Sequence, residues 1–425
     1  MTTGDRRPAS IRFTDLANPV YPEAAAPMRD ALAAYGAVLE LTPDALLATA
    51  VERTGLDDWG DPAFRQRLDV LCGALREEAD MSEAGRAIAF EQLVANLVNR
   101  LRLEALVSAH PEIEDVTIER PIIICGLPRT GTTHLHNLLA ADPSLRYLPY
   151  WESLEPFPAP DEGDPEPRRQ RCAAGLDLVS TSMPEFRRMH DMTVEHAHEE
   201  IQLLANDVSG MLFETTYQVP SYAAHYKAQD QAPSYAYLKR SLQAMQWLRG
   251  GTRWVLKSPQ HLEQFPVLAS TFPDATFVVT HRDPVEVTIS MLTMVCYASR
   301  MAVTNPDPHR ITRYWLDRAG DLLDGCVRDR DVLPAGQSID IRFDDFMADE
   351  KGTIEAIYDR AGQQFDAGVQ DAMQRFLVEH PRGRYGGVIY EPDDLGLDVA
   401  EVAEKFRTYS ERFIANHPAA APNPQ

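Results

Sequence analysis

The sequence predicts an α/β fold in which a parallel sheet is flanked by helices, preceded by a module made only of helices. Short, mostly apolar runs recur from residue 121 onward, and each is followed by a segment with helical periodicity. Strands of this kind, separated by helices, are typical of parallel sheets covered on both faces. Upstream of residue 118 the only clear pattern is helical, which predicts the separate module.

The N-terminal part of the chain is divided into an arm and the helical module. Residues 1–20 are expected to form a flexible arm, and residues 21–117 to form the module. The clearest helix of the module carries apolar residues that share one face: Ile88, Leu93, Leu97, Leu101 and Leu106. We interpret this module as a brace for the rest of the chain, since its periodic residues are ordinary core formers.

The α/β domain is assigned to residues 118–425. Its strands are predicted at residues 122–125, 254–256, 276–280 and 339–342. The first strand enters a loop rich in glycine and proline, and a helix follows over residues 132–141. Strand connections should be right-handed, with the ligand beyond the carboxyl ends of the strands. Residues 151–251 are less regular and are treated as a helical insertion.

Composition limits the classes of ligand. Lys and Arg number 41 against 64 Asp and Glu, a net charge of -23, which argues against nucleic acid and anionic membrane surfaces as partners. An anionic ligand therefore needs a local basic site. The five cysteines contain no CxxC pair, which indicates a reducing compartment. Without an N-terminal apolar run or a stretch long enough to span a bilayer, a cytoplasmic location is expected.

The loop after the first strand has the composition of an anion cradle. It runs from Gly126 to Thr133, between a strand and a helix. Its glycines let successive backbone N–H groups point inward, and the helix N-terminus adds partial positive charge. The spacing is that of the nucleotide-triphosphatase loop GxxxxGK[ST], but Thr132 stands in place of the lysine that bridges the phosphates of a triphosphate. A kinase or hydrolase is thereby weakened but stays an alternative.

This loop resembles that of a known family. Pro128-Arg129-Thr130-Gly131-Thr132-Thr133 is similar to the 5′-phosphosulfate loop of sulfotransferases that use 3′-phosphoadenosine 5′-phosphosulfate as donor. The resemblance implies a P-loop-like sheet. It also implies that the 5′-phosphate and the sulfonate are held by Arg129, Thr130, Gly131, Thr132 and Thr133. Arg129 would in addition shield the phosphate that leaves.

Two further segments resemble donor-binding elements of the same family. Arg282-Asp283-Pro284, at the end of the third strand, with Ser290 in the next helix, resembles the 3′-phosphate element. An Arg leaving a strand and a Ser two helical turns later can converge on one phosphate. Arg382-Gly383-Arg384 resembles the C-terminal segment that closes over the same phosphate; an ordinary glycine loop is the alternative.

Lys257 follows the second strand and begins a Lys-x-Pro motif that resembles the tyrosylprotein branch of the family. The resemblance gives this lysine a catalytic role. An ammonium group over the transferring sulfonate would stabilise negative charge on its oxygens and on the leaving phosphate.

Transfer to an alcohol needs a general base, and the sequence offers several candidates. The family resemblance favours Glu152, ranked first. His261 is ranked second, although Pro259 occupies the place where cytosolic members carry their histidine. Glu199, in a segment rich in His and Glu, is ranked third. In the same segment His196 and Glu200 would give a metal ion only two ligands, so no metal is expected.

The resulting prediction is a sulfotransferase that moves a sulfonate from 3′-phosphoadenosine 5′-phosphosulfate to a hydroxyl by in-line displacement. The acceptor is expected to be a small molecule, a lipid or a glycan, bound against the insertion. The acidic net charge disfavours polyanionic acceptors. A cluster of tyrosines could line the acceptor site or belong to the core: Tyr217, Tyr222, Tyr226, Tyr235 and Tyr237. A non-catalytic nucleotide-binding module stays an alternative, and the oligomeric state is left open.

Overall fold

The computed structural model describes residues 8–415 and contains one parallel sheet of four strands. The strand order is β2-β1-β3-β4. The strands are β1 (Ile122–Cys125), β2 (Val255–Ser258), β3 (Thr276–His281) and β4 (Ser338–Arg342). All three pairings are parallel. The predicted α/β class is confirmed.

Helices cover both faces of the sheet because successive side chains of its strands point to opposite sides. Ile122 and Ile124 contact one apolar cluster, and Ile123 and Cys125 contact another. Every residue of β1, β2 and β3 is buried. The parallel register places the carboxyl ends of the strands at one edge, where the loop after β1 begins.

The helices follow the predicted alternation with the strands. In chain order they are α1 (Ala26–Ala37), α2 (Pro43–Thr54), α3 (Phe64–Glu77), α4 (Glu83–Ala109), α5 (Thr132–Ala140), α6 (Tyr150–Leu154), α7 (Glu166–Ser182), α8 (Ile201–Ala205), α9 (Pro220–Ala228), α10 (Ala232–Arg249), α11 (Phe265–Thr271), α12 (Pro284–Ser299), α13 (Pro308–Asp329), α14 (Phe343–Ala348), α15 (Glu350–Ala361), α16 (Ala367–Glu379), α17 (Val399–Lys405) and α18 (Arg407–Ser410). Short 3-10 helices lie at Phe186–Arg188, Met211–Thr215 and Pro259–Glu263, among other places.

The N-terminal module is helical, as the fold prediction required, and it shares its core with the insertion. Residues of α2, α3 and α4 pack in one apolar cluster with Tyr217, Tyr222 and Tyr226. Tyr235 and Tyr237 belong to the cluster under the sheet. These tyrosines are therefore core residues. The exact boundaries of the predicted domains stay a prediction.

The expectation of a flexible arm over residues 1–20 is wrong for the part that the structure describes. Residues 1–7 lie outside the described residues. Phe13 and Leu16 are buried in the main core, and the Phe13 ring lies 4.3 Å from that of Tyr297. The Asp15 carboxylate pairs with Arg300 at 2.9 Å. The sequence pattern missed this packing because two isolated apolar residues have no periodicity.

The structure also bears on the state of the cysteines and on membrane-spanning helices. All five cysteines are buried and carry free thiols. Between residues 8 and 415, none of the helices combines the length and the apolar character needed to cross a membrane.

Candidate active site

A cavity of about 920 Å³ opens at the carboxyl edge of the sheet. Its floor is the loop after β1, and α12 contributes one wall. The opposite walls come from residues 186–216 of the insertion and from residues 376–386 near the C-terminus. This position agrees with the rule that ligands of open parallel sheets bind beyond the carboxyl ends of the strands.

The loop after β1 is held in a fixed shape by its own residues. Gly126 packs so closely that a Cβ there would lie 2.0 Å from the Thr280 hydroxyl oxygen. Gly131 has φ of 88° and caps α5. The Thr130 hydroxyl donates to the carbonyl of Leu127 at 2.7 Å and contacts the Thr280 hydroxyl at 2.7 Å. The unpaired N–H groups of the first turn of α5 consequently sit at the edge of the cavity, where they suit an anion.

Arg129 is the strained residue of this loop. Its φ is 75°, a left-handed conformation that costs a non-glycine residue free energy. Its Nε donates to the Ser290 hydroxyl at 2.9 Å, its Nη2 to the Tyr390 hydroxyl at 3.3 Å, and its Nη1 to the carbonyl of Met189. The strain is thus balanced by three contacts that orient the guanidinium in the cavity.

The structure brings the two predicted phosphate elements together. Arg282 donates from Nη1 to the carbonyl of Arg129 at 3.0 Å, and its guanidinium carbon lies 4.1 Å from the ring centre of Phe343. The buried Nε atom of Arg282 has no hydrogen-bond partner among the described residues. Since a buried N–H without a partner is costly, this atom indicates a place for an anionic oxygen.

The C-terminal segment also faces the cavity. Arg382, Gly383 and Arg384 all line it. Arg382 pairs with Glu350, and Arg384 pairs with Asp191 across the mouth. Both cations are therefore balanced by carboxylates.

Lys257 is the penultimate residue of β2, near the carboxyl edge of the sheet. Its side chain is only 2% exposed and its ammonium pairs with the carboxylate of Glu199, which lines the cavity. The backbone N–H of Lys257 donates to the carboxylate of Glu200 at 2.8 Å. Both the backbone and the side chain of Lys257 therefore contact the Glu199-Glu200 segment.

The structure does not place the two first-ranked base candidates at the cavity. Glu152 is 1% exposed and accepts two bonds from Arg146, at 2.8 and 2.7 Å, because α6 directs it toward that arginine. The His261 ring is fully buried between Glu200, at 2.6 Å, and the Tyr235 hydroxyl, at 2.8 Å. Both are saturated by partners inside the protein. Glu199, ranked third, is the candidate that faces the cavity.

A cluster of three histidines lines the same cavity, and sequence reasoning did not assign it a role. The ring centre of His196 lies 5.4 Å from that of His190 and 5.9 Å from that of His198. Burial, assisted by the charge of Lys257, lowers the pKa of His196 to about 3. Burial also lowers the pKa of His190 and His198 well below the usual value. His196 and His198 belong to the His/Glu-rich segment that the sequence analysis described, whereas no local sequence pattern distinguishes His190.

The cavity has an apolar wall that the sequence did not reveal. Its lining includes Met189, Met211, Met291, Met294, Val295 and Trp315. These residues come from four distant segments, so no local pattern connects them. Over residues 8–415, no group of three or more metal-ligating side chains is brought together.

Comparisons with known proteins identify the family. The sequence profile of the sulfotransferase family matches residues 121–367. The chain is similar to the crystal structure of sulfotransferase STF1 from Mycobacterium tuberculosis, with 32% identity and a TM-score of 0.76, over 85% of this chain and 97% of that chain.

Two further relatives extend the comparison. Sulfotransferase STF9 from Mycobacterium avium has 25% identity and a TM-score of 0.80, over 89% of this chain and 98% of that chain. The omega-hydroxy-beta-dihydromenaquinone-9 sulfotransferase Stf3 of Mycobacterium bovis is 24% identical over 278 residues, 63% of this chain and 69% of the relative. With its P-loop-like parallel sheet and a profile match over more than half of its length, the chain is an enzyme of the sulfotransferase family.

Proposed function

We propose that this sulfotransferase takes its sulfonate from 3′-phosphoadenosine 5′-phosphosulfate and transfers it to the hydroxyl of an apolar small-molecule or lipid acceptor. The observation that carries the proposal is that Arg129, Arg282 and Glu199 line one cavity, while Arg129 contacts Ser290 and Glu199 pairs with Lys257. A nucleotide with phosphates at both ends is a ligand that fits two such basic elements.

At the donor end, each predicted residue has a distinct task in this proposal. The N–H groups of Gly131, Thr132 and Thr133, with the Thr130 and Arg129 side chains, hold the 5′-phosphosulfate. Arg282 and Ser290 hold the 3′-phosphate, and Arg382 and Arg384, with the turn at Gly383, close over it. The buried Nε of Arg282, which lacks a partner among residues 8–415, supports this division.

At the transferring group, Lys257 and Glu199 act together. Glu199 accepts the proton of the acceptor hydroxyl as the oxygen attacks sulfur. Once the carboxyl is neutral it holds the ammonium of Lys257 less strongly, and that charge is available to the sulfonate oxygens and the leaving phosphate. Burial lowers the pKa of His196 and so keeps its ring uncharged. The ring therefore adds a polar contact near the acceptor hydroxyl and does not compete with Lys257 for the charged sulfonate. Glu199 therefore replaces Glu152 and His261 as the proposed base.

The apolar wall defines the acceptor side. Thioether side chains adapt to irregular apolar ligands, and four methionines face this part of the cavity: Met189, Met211, Met291 and Met294. The relative Stf3 is named as a sulfotransferase of omega-hydroxy-beta-dihydromenaquinone-9. We infer an elongated apolar alcohol as the acceptor class here. The five free thiols support the further proposal of a cytoplasmic location.

A transfer assay tests this proposal. Purified protein is incubated with ³⁵S-labelled donor and two sets of alcohols, polyprenyl or quinol-type alcohols in one and sugars of similar hydroxyl reactivity in the other. We expect label to appear in the apolar set. Hydrolysis of Mg-ATP without sulfonation would favour the nucleotide hydrolase instead, and binding of adenosine 3′,5′-bisphosphate without transfer to any alcohol would favour a non-catalytic module.

A further inference from the structure

The N-terminal arm, residues 8–16, contacts the segment that supplies the C-terminal arginines. The N–H of Ile11 donates to the carbonyl of Gly387 at 3.1 Å, and the N–H of Ile389 donates to the carbonyl of Ile11 at 2.7 Å. Ile11 and Val388 thus form a parallel bridge. The bridge begins one residue after Gly386, which lines the cavity.

The arm is itself anchored at a distance from the site. Phe13 and Leu16 are buried in the main core, and Asp15 pairs with Arg300. Arg12 pairs with Asp394 through two hydrogen bonds of 2.9 and 2.7 Å. Residues 386–390 are therefore tied to a fixed part of the fold through the arm.

The arm and the segment bridged to it contact two residues that line the cavity. Arg188, which lines the cavity, donates to the carbonyl of Ala9 at 3.0 Å. Tyr390, next to the bridge, accepts from Arg129 of the phosphosulfate loop at 3.3 Å. Gly386 fits closely against the arm, since a Cβ there would lie 2.7 Å from the carbonyl oxygen of Pro8.

We propose that the arm, residues 8–16, is a positioning element of the donor site: its backbone bridge to residues 387–389 holds Arg382 and Arg384 where they contact the donor, and Tyr390 where it contacts Arg129. The inference rests on the proposed function, because it takes the donor to be the bisphosphate-bearing nucleotide. By reciprocity, an arm that favours donor binding must itself be stabilised when the donor binds.

Hydrogen exchange on the wild-type chain tests this reciprocity. The probe is adenosine 3′,5′-bisphosphate, whose binding is first established by calorimetry. We expect saturating bisphosphate to slow amide exchange at Ile11 and Ile389 about tenfold, while the amides of α2 (Pro43–Thr54) exchange at an unchanged rate. Bound bisphosphate with unaltered exchange in the arm would overturn the inference alone. Absence of any binding would instead overturn the proposed function.

A proline substitution gives the complementary measurement. Ile11→Pro removes the N–H that donates to Gly387, and we expect the Kd for bisphosphate to rise about fivefold, the effect of losing one ordering hydrogen bond. Gly163→Pro is the control: Gly163 is exposed and lies outside the arm, and among residues 8–415 its N–H makes no hydrogen bond and no atom lies near an added Cβ. Equal affinity of Ile11→Pro and the wild type would contradict the inference; if Ile11→Pro does not fold, the exchange measurement decides.

Discussion

The proposed transfer step depends on the ion pair of Lys257 and Glu199. Glu199 alone among the three candidate bases reaches the cavity, and its partner is the lysine that the Lys-x-Pro motif indicated. In this proposal the carboxylate of Glu199 is paired with Lys257 before the reaction and is neutral after it takes the proton of the acceptor hydroxyl. Proton removal is thereby coupled to release of the Lys257 ammonium. The chemistry is therefore assigned to a pair of residues from two different elements.

Replacement of the base should separate catalysis from stability. We expect Glu199→Gln to lower kcat about 10²- to 10⁴-fold, the usual contribution of a general base, with the Kd for bisphosphate nearly unchanged. Transfer rates at saturating donor and acceptor measure this change.

Glu152→Gln is the matched control. Glu152 is buried and paired with Arg146 and Arg249, so the change should cost about 3–5 kcal/mol of unfolding free energy by leaving buried charge without its partner. If the folded Glu152→Gln enzyme loses kcat and Glu199→Gln does not, the assignment of the base is wrong.

At the scale of elements, the strand–loop–helix unit from β1 to α5 could be predicted almost completely. Strand β1 and the start of α5 lie at the predicted residues, because an apolar strand, a glycine loop and a helix start are all local signals. The pairing of Glu199 with Lys257 could not be predicted, since it depends on contact between the insertion and β2. The apolar wall escaped prediction for the same reason, as its residues are distant in the chain.

The shape of the loop gives an element-scale prediction. Gly131 has φ of 88°, and a Cβ there would lie 3.0 Å from a ring carbon of Phe343. Gly131→Ala should therefore cost about 1–2 kcal/mol and weaken bisphosphate binding. Urea unfolding and calorimetry measure the two effects.

Gly175→Ala is the control, in the exposed part of α7 with no atom near the added Cβ. It should stabilise the protein by about 0.4–1 kcal/mol, since alanine reduces the entropy of the unfolded chain. A Gly131→Ala protein as stable and as tightly binding as the wild type would show that the loop does not need its left-handed residue.

At the scale of the whole molecule, buried histidines set the acid limit of stability. Burial lowers the pKa of His136, His190, His196, His198 and His281. In the unfolded chain these rings titrate near the usual 6.5. As the pH falls below that value, the unfolded chain binds protons that the folded chain refuses, so the free energy of unfolding decreases.

The pH dependence of unfolding tests this sign. We expect urea midpoints to fall steadily from pH 7 to pH 5. For His196→Asn, the slope of unfolding free energy below pH 6.5 should be shallower by about 1.4 kcal/mol per pH unit, because one buried imidazole no longer titrates. A wild-type stability that rises on acidification would contradict the assignment of these rings as neutral.

The fold as a whole brings two basic elements that follow separate strands to one cavity, and the central claim is that Arg282 binds the 3′-phosphate of the proposed nucleotide. Calorimetry with adenosine 3′,5′-bisphosphate and with adenosine 5′-monophosphate, which lacks that phosphate, measures this directly. We predict that Arg282→Ala weakens bisphosphate binding at least about tenfold, as expected for a charge-assisted contact, and leaves monophosphate binding within about twofold. Arg310→Ala, which removes an exposed charge on α13, should change neither. Equal affinities of Arg282→Ala and the wild type for the bisphosphate would contradict the account.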